Sequence, residues 1–306
     1  MIFRTIILKT SGMGFVKKLV TGSKMFRPLV RRFIAGETLQ EAMTSAEQLA
    51  ANGFFVTLDL LGENVASLDD ANVEKAGYLD AAKMIGQSKH RDAINISIKL
   101  TALGLDQSDE AAEANYRELL AAAAENNMFV RADMEGSPYT ERTISMVERV
   151  FADCKNTGTV LQAMLIRTEQ DVDRLIRLGC RVRMVKGAYL EPAEIAHKDK
   201  AVVDRKYVDY AKKLMELGNY PAIASHDEKI IDELKAFAKE KGIPNDRFEW
   251  QMLFGIRRDL QEKLLKEGYR VRVYVPYGSK WYPYFSRRLA ERPANLFFIM
   301  RAALGK

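Results

Sequence analysis

Tyr284, Arg287, Arg288 and Glu291 stand at i, i+3, i+4 and i+7, which on a helix is a single face. An aromatic ring, two adjacent guanidinium groups and a carboxylate then point the same way. Two guanidinium groups can hold a carboxylate through forked, charge-assisted hydrogen bonds, and Glu291 can meet a cationic amine. The set suits a small amino acid in its zwitterionic form. Taken alone, the same residues also describe a surface helix with an Arg287–Glu291 ion pair, so the chemistry depends on partners elsewhere in the chain.

Those partners must be positioned by regular elements, and after residue 35 the chain has a clear rhythm. Short β-branched or aromatic runs alternate with longer Ala/Glu/Lys-rich stretches of helical period. The spacing predicts strands over Phe54–Leu61, Ile94–Leu100, Met128–Met134, Val160–Leu165, Arg181–Lys186, Ala222–Ser225, Phe248–Leu253 and Arg270–Val275. It predicts helices over Asp69–Gln87, Asp109–Asn126, Thr140–Cys154, Thr168–Leu178, Val202–Leu217, Glu228–Lys241 and Ile256–Lys266. Gly179, Gly242 and Gly268 fall just past three of these helices, where a left-handed residue ends a helix. About eight β/α units in roughly 250 residues is the pattern of a (β/α)8 barrel. A doubly wound sheet would show GxGxxG after its first strand, and Gly12-Met13-Gly14 lacks the third glycine and precedes the strands. The expected organisation is a basic amphipathic helical segment over 1–35 and a catalytic barrel over 36–306.

Alternation along the strands puts polar side chains on one face. Ile94, Ile96 and Ile98 share one face of their strand, while Asn95, Ser97 and Lys99 share the other. Arg131, Asp133 and Glu135 share a face in the third strand. Gln162, Arg183, His226, Gln251 and Tyr274 fall within or just after later strands, mostly near the carboxyl ends where barrel enzymes place their chemistry. So many polar groups at one depth are costly unless they pair or bind something. The expectation is therefore a functional cavity.

Composition narrows the class. Apolar residues make up 47% and charged residues 29% of 306, as in an ordinary globular chain with ample core. No apolar run approaches the roughly 20 residues of a membrane span, and MIFRTIILKT lacks a signal-peptide pattern. The chain is expected to be cytoplasmic. Cys154 and Cys180 form no CxxC motif, and His90, His197 and His226 are too scattered for a metal site. The net charge of +6 is concentrated at the start, where eight basic residues from Arg4 to Arg32 precede the first acid, Glu37. Interleaved with apolar residues, they read either as helices packed on the barrel or as a segment resting on an anionic membrane surface. No nucleic-acid motif appears.

Arg183-Met184-Val185-Lys186-Gly187-Ala188-Tyr189 resembles a segment of the flavin-dependent proline dehydrogenases, and Tyr284-x-x-Arg287-Arg288-x-x-Glu291 resembles their C-terminal helix. Ser97-Ile98-Lys99-Leu100, Asp133, Gln162, Ser225-His226, Gln251-Met252-Leu253 and Tyr274-Val275-Pro276-Tyr277-Gly278 match in order. The resemblance runs from about Gly36 to the end, departs at Met134 and Glu135, and is to the short bacterial form.

The resemblance implies a distorted (β/α)8 barrel with extra N-terminal helices, and a C-terminal helix over an active site holding non-covalent FAD. L-Proline would be oxidised to Δ1-pyrroline-5-carboxylate by hydride transfer to the flavin, and a membrane quinone would take the electrons at the inner face of the cytoplasmic membrane. Lys99, Arg287 and Arg288 would bind the substrate carboxylate, with Glu291 near its amine. Tyr189, Leu253, Tyr274 and Tyr284 would wall the ring. Arg183 would reach the reactive edge of the flavin, and Asp133 would orient Arg183 or Tyr189 or take part in amine deprotonation. Met134, Gln162, Val185, Lys186, Gly187, Ala188, Ser225, His226 and Gln251 would contact the cofactor.

Other readings stay open for single residues: Lys99 paired with Asp133, Tyr274 as a core residue, and His226 capping the following helix. A hydroxyproline oxidase, a methylenetetrahydrofolate reductase-like flavin barrel and a non-catalytic membrane scaffold are the competing functions. Tyr274 is bulky where, by the resemblance, a ring hydroxyl would need room. The oligomeric state is left open.

Overall fold

The computed structural model describes residues 27–291, with side chains for 28–288. Eight parallel strands pair in chain order and close: β1 (Phe55–Leu60), β2 (Ile94–Ile98), β3 (Val130–Ala132), β4 (Thr157–Gln162), β5 (Arg181–Val185), β6 (Ala222–Ala224), β7 (Glu249–Leu253) and β8 (Val271–Tyr277), which returns to β1. Helices α1 (Arg27–Phe33) and α2 (Leu39–Ala51) precede β1. One helix then follows each strand: α3 (Leu68–Gln87), α4 (Asp109–Ala124), α5 (Ser137–Phe151), α6 (Thr168–Leu178), α7 (Lys200–Leu217), α8 (Glu228–Glu240), α9 (Arg258–Lys266) and α10 (Tyr282–Glu291). This is the (β/α)8 barrel that the sequence rhythm predicts. Residues 1–26, the larger part of the basic segment and including Gly12-Met13-Gly14, lie outside the described residues.

All eight expected strands are present, and the differences have local causes. Strand β4 starts at Thr157, three positions before the apolar run at Val160, because the Thr157 and Thr159 hydroxyls donate to the Val130 and Ala132 carbonyls of β3. Helix α5 starts at Ser137, three positions early, with Pro138 in its first turn and the Ser137 amide held at 2.8 Å by Glu191 from the β5–α7 connection. That remote carboxylate replaces the local cap that the sequence lacks. Gly179, Gly242 and Gly268 do adopt positive φ past their helices.

Alternation sorts the barrel into an apolar shell and a polar lumen. Ile94, Ile96 and Ile98, with Val56, Leu58, Val182, Met184, Val271, Val273 and Val275, belong to the buried core with residues of the surrounding helices. Burying each such side chain stabilises the fold by roughly 1.5–3 kcal/mol. Thr57, Asp59, Asn95, Ser97, Lys99, Arg131, Arg183, Glu249, Gln251 and Arg272 are buried polar residues of the lumen or its rim.

A second apolar cluster closes the barrel mouth. Phe33 and Ile34 at the end of α1 pack against Trp281, Tyr282, Tyr284 and Phe285 of the α10 region, with Leu61 and Ile256 beneath. The Trp281 indole donates to Glu37 at 3.0 Å. Helix α10, which carries the double arginine, is thus fixed by residues from the opposite end of the sequence. Among the described residues no helix is long and apolar enough to cross a membrane.

Candidate active site

A cavity of about 1010 Å³ opens at the carboxyl ends of the strands. That is at the upper end for a small-molecule pocket, and it leaves room for a dinucleotide beside a small substrate. Lys99, Asp133, Met134, Gln162, Arg183, Val185, Lys186, Gly187, Ala188 and Tyr189 line it, as do Ser225, His226, Gln251, Leu253, Tyr274, Tyr284, Arg287 and Arg288. Every candidate site residue with a described side chain therefore comes to one space. The Glu291 side chain lies outside the described residues.

The centre of the cavity floor is the Arg183 guanidinium. It donates to Asp133 at 2.7 Å, to Ser97 at 3.2 Å and to the Gln251 side-chain oxygen. The other oxygen of Asp133 accepts from the Tyr274 hydroxyl at 2.6 Å, and Arg183 sits 5.1 Å from the centre of the Tyr274 ring. Asp133 therefore joins Arg183 to Tyr274, where the sequence left Tyr189 open as a partner. Both of its oxygens are engaged by donors. Burial, reinforced by the charge of Asp133, holds the Tyr274 hydroxyl well above its ordinary range, so it remains a donor.

Lys99 finds a different partner from the one its strand position suggests. Its ammonium meets Asp59 of β1 at 2.6 Å, not Asp133, with both side chains nearly inaccessible. Burial pulls the Lys99 pKa down, but the charge of Asp59, helped by Tyr78 and Asp133, outweighs it and keeps the amine protonated. Asp59 was readable in principle, since it alternates with Thr57 on the inward face of β1.

Arg287 meets Glu63 on the β1–α3 connection at 3.2 Å. That loop position carries no periodicity, and nothing in the sequence singles it out. The ion pair ties α10 to the barrel rim. Arg288 stacks over Tyr284 with its guanidinium carbon 5.2 Å from the ring centre. The Tyr189 hydroxyl is pushed well above its ordinary range, first by burial and then by the nearby Glu63 charge.

The other arm of the cavity is cationic and backbone-rich. Lys186 pairs with Asp204 at 2.6 Å and Asp227 at 3.6 Å, and Lys200, Lys229 and Arg257 also line the space. Gly187 has φ +109°, a backbone that strains any residue with a Cβ, and a Cβ there would push the Met164 side chain aside. His226 does not cap α8; Asp227 does, accepting from the Lys229 amide at 3.2 Å. The His226 Nε2 instead accepts from the Leu253 amide at 2.9 Å, which places its ring proton on Nδ1. No group of three or more potential metal ligands exists among the described residues.

A closed parallel barrel with a deep charged cavity at the carboxyl ends of its strands defines an enzyme of the (β/α)8 class. The chain belongs to the proline dehydrogenase family, whose pattern matches residues 42–301. It is 41% identical to proline dehydrogenase 1 of Bacillus subtilis subsp. natto, the match covering 90% of this chain and 91% of that one. It is 39% identical to the proline dehydrogenase of Deinococcus radiodurans, covering 99% and 98%. In structure it resembles proline utilization A of Bdellovibrio bacteriovorus inactivated by N-propargylglycine, with a TM-score of 0.81 and 25% identity. That match covers 94% of this chain and 36% of the larger protein.

Proposed function

We propose residue roles for the activity that family membership carries: flavin-dependent oxidation of L-proline to Δ1-pyrroline-5-carboxylate, the entry to proline catabolism toward glutamate. The carrying observation is that Lys99, just past β2, and Arg287 and Arg288 from α10 line one cavity together with the Arg183–Asp133–Tyr274 set. Three cations then face one substrate carboxylate, and Asp59 and Glu63 hold two of them in place. Tyr189, Leu253, Tyr274 and Tyr284 wall the pyrrolidine ring, whose apolar body gains from burial. Glu291, one turn beyond Arg287, is assigned to the amine side. Tyr274 cannot withdraw without giving up its bond to Asp133, which favours proline over a hydroxylated ring.

We take the flavin to be FAD. Gly187 supplies a bare backbone surface, Lys186 and its neighbours suit a pyrophosphate, and Gln162 and Gln251 offer amides to a flavin edge. When bound, the flavin supplies the two-electron acceptor for the hydrogen leaving the ring carbon beside nitrogen. Arg183 presents fixed positive charge at the place assigned to its reactive edge, and Asp133 holds that charge in position. Met134, Val185, Ala188, Ser225 and His226 complete the cofactor surface.

We further propose a quinone as the electron acceptor, met at the membrane by the basic N-terminal segment. Removing residues 1–32 should weaken binding to anionic vesicles, and unchanged binding would refute this role. The test of the main assignment is the visible spectrum of the purified protein under anaerobic conditions. Flavin absorbance that bleaches on adding L-proline supports it. Bands that bleach only with a nicotinamide donor would favour the folate-linked reductase reading.

A further inference from the structure

Beneath the cavity floor, Gln251 rests on charged residues that the roles above do not use. Glu249 and Gln251 are two apart on β7 and both face the lumen, and Arg272 of β8 stands in register with Gln251. The Gln251 side-chain amide donates to Glu249 at 2.5 Å, while its oxygen accepts from Arg183. Arg272 donates to the same Glu249 oxygen at 2.8 Å, and the Tyr220 hydroxyl donates to the other at 3.2 Å. Arg272 is itself fixed by the Val56 carbonyl at 2.8 Å.

We propose that Glu249, anchored by Arg272 and Tyr220, is a positioning residue for proline oxidation: it fixes the orientation of the Gln251 amide so that its oxygen faces Arg183. The reason is donor and acceptor chemistry. A glutamine amide has one end that only accepts and one end that only donates. Arginine offers only donors and a glutamate carboxylate only acceptors, so a glutamine between them has a single satisfying orientation. Take the carboxylate away, and the Gln251 NH2 loses its acceptor while only the Arg183 end still holds the side chain. A donor is then left without a partner in a buried site, where unpaired polar groups are costly, and the side chain shifts to pair it. The guanidinium would move away from Gln251 and off the position that Asp133 and Ser97 define.

Simple neutralisation of Arg272 is a weaker explanation for Glu249. It accounts for a carboxylate on the lumen floor but not for its bond to the one amide that contacts Arg183. Burial pushes the Glu249 carboxyl up, yet the charge of Arg272 and the hydrogen bonds from Arg272 and Gln251 outweigh this and keep it ionised. The carboxylate therefore stays an acceptor at neutral pH, as the orienting role requires.

This inference rests on the placement of Arg183 beside the flavin proposed above. The test uses the flavin-loaded enzyme and two variants, Glu249→Met and the double Glu249→Met/Arg272→Met, which restores the charge balance of the floor if the single variant fails to fold. Flavin reduction by L-proline should slow about tenfold or more, as misplacement of a supported group does, with the proline dissociation constant changed by less than about twofold. The flavin midpoint potential, read by dye equilibration without substrate, should fall by about 30 mV, the equivalent of a tenfold loss of stabilisation for a two-electron couple. A merely structural carboxylate would lower thermal stability and leave the potential alone. A folded variant with wild-type potential and wild-type reduction rate overturns the proposal. Arg183→Gln is the control: an unchanged potential there would overturn the placement of Arg183 itself, a different failure from that of Glu249.

Discussion

Glu135 gives a prediction whose size follows from its surroundings. It lies two residues past Asp133 and is 3% exposed. Its oxygens accept from the Thr101 hydroxyl at 2.6 Å and the Thr101 amide at 3.3 Å. The Thr101 hydroxyl also accepts from the Asn64 amide at 3.1 Å, next to Glu63 on the loop that holds Arg287. Burial raises the Glu135 pKa from its ordinary 4.5 to about 7, against the pull of Thr101 and Lys99 and with help from Glu63. An acid whose folded pKa is raised binds its proton more tightly when folded. Its stabilising contribution is complete below pH 4.5 and is lost as pH rises through 7. The penalty works out to about 1 kcal/mol at pH 5 and about 3 kcal/mol at pH 8. Glu135→Gln removes the titration, so the variant should gain roughly 2 kcal/mol relative to wild type between those pH values, or several degrees in Tm. The assay is thermal unfolding of both flavin-loaded proteins across this range at constant ionic strength. Parallel curves, or a wild type that gains on the variant as pH rises, would refute the reasoning.

Three further perturbations test the cavity. Lys99→Met leaves the buried Asp59 unpaired and should cost about 3–5 kcal/mol; adding Asp59→Asn should restore much of the stability but not proline turnover, as a double-mutant cycle in denaturant and initial rates would show. Arg288→Met should abolish proline turnover while the circular dichroism spectrum and Tm stay close to wild type, so near-normal turnover would mean that the carboxylate contact is misassigned. Gly187→Ala must displace the Met164 side chain and adopt a strained positive φ, so the purified variant should retain far less flavin per chain, read from its visible absorbance.

Much of this protein was legible in one dimension. The alternation of Ile94, Ile96 and Ile98 with Asn95, Ser97 and Lys99 assigns the strand and the direction in which each side chain points, because a strand has a period of two. Eight such runs separated by helical stretches specify the barrel. Its closure puts the carboxyl ends of all the strands on one side, so candidate residues spread from Lys99 to Arg288 had to converge. The ordered motifs supplied the family.

Partner choice was decided only by the tertiary structure. Lys99 pairs with Asp59 because β1 and β2 are neighbours whose register brings Asp59 opposite Ser97, close to the end of the strand; the sequence alone suggested Asp133 instead. Arg287 pairs with Glu63 because α1 packs on α10 and presses it onto the β1–α3 rim, a contact between opposite ends of the chain. His226 faces β7, and Asp227, one residue on, supplies the helix cap that was the alternative role for His226. The Glu249–Gln251–Arg183 series depends on the depth of each side chain inside a closed lumen. Periodicity determines the face of an element on which a side chain lies. Which charge it meets there depends on the stagger between strands and on the loops that cover the barrel, and those are set by long-range packing that no local pattern encodes.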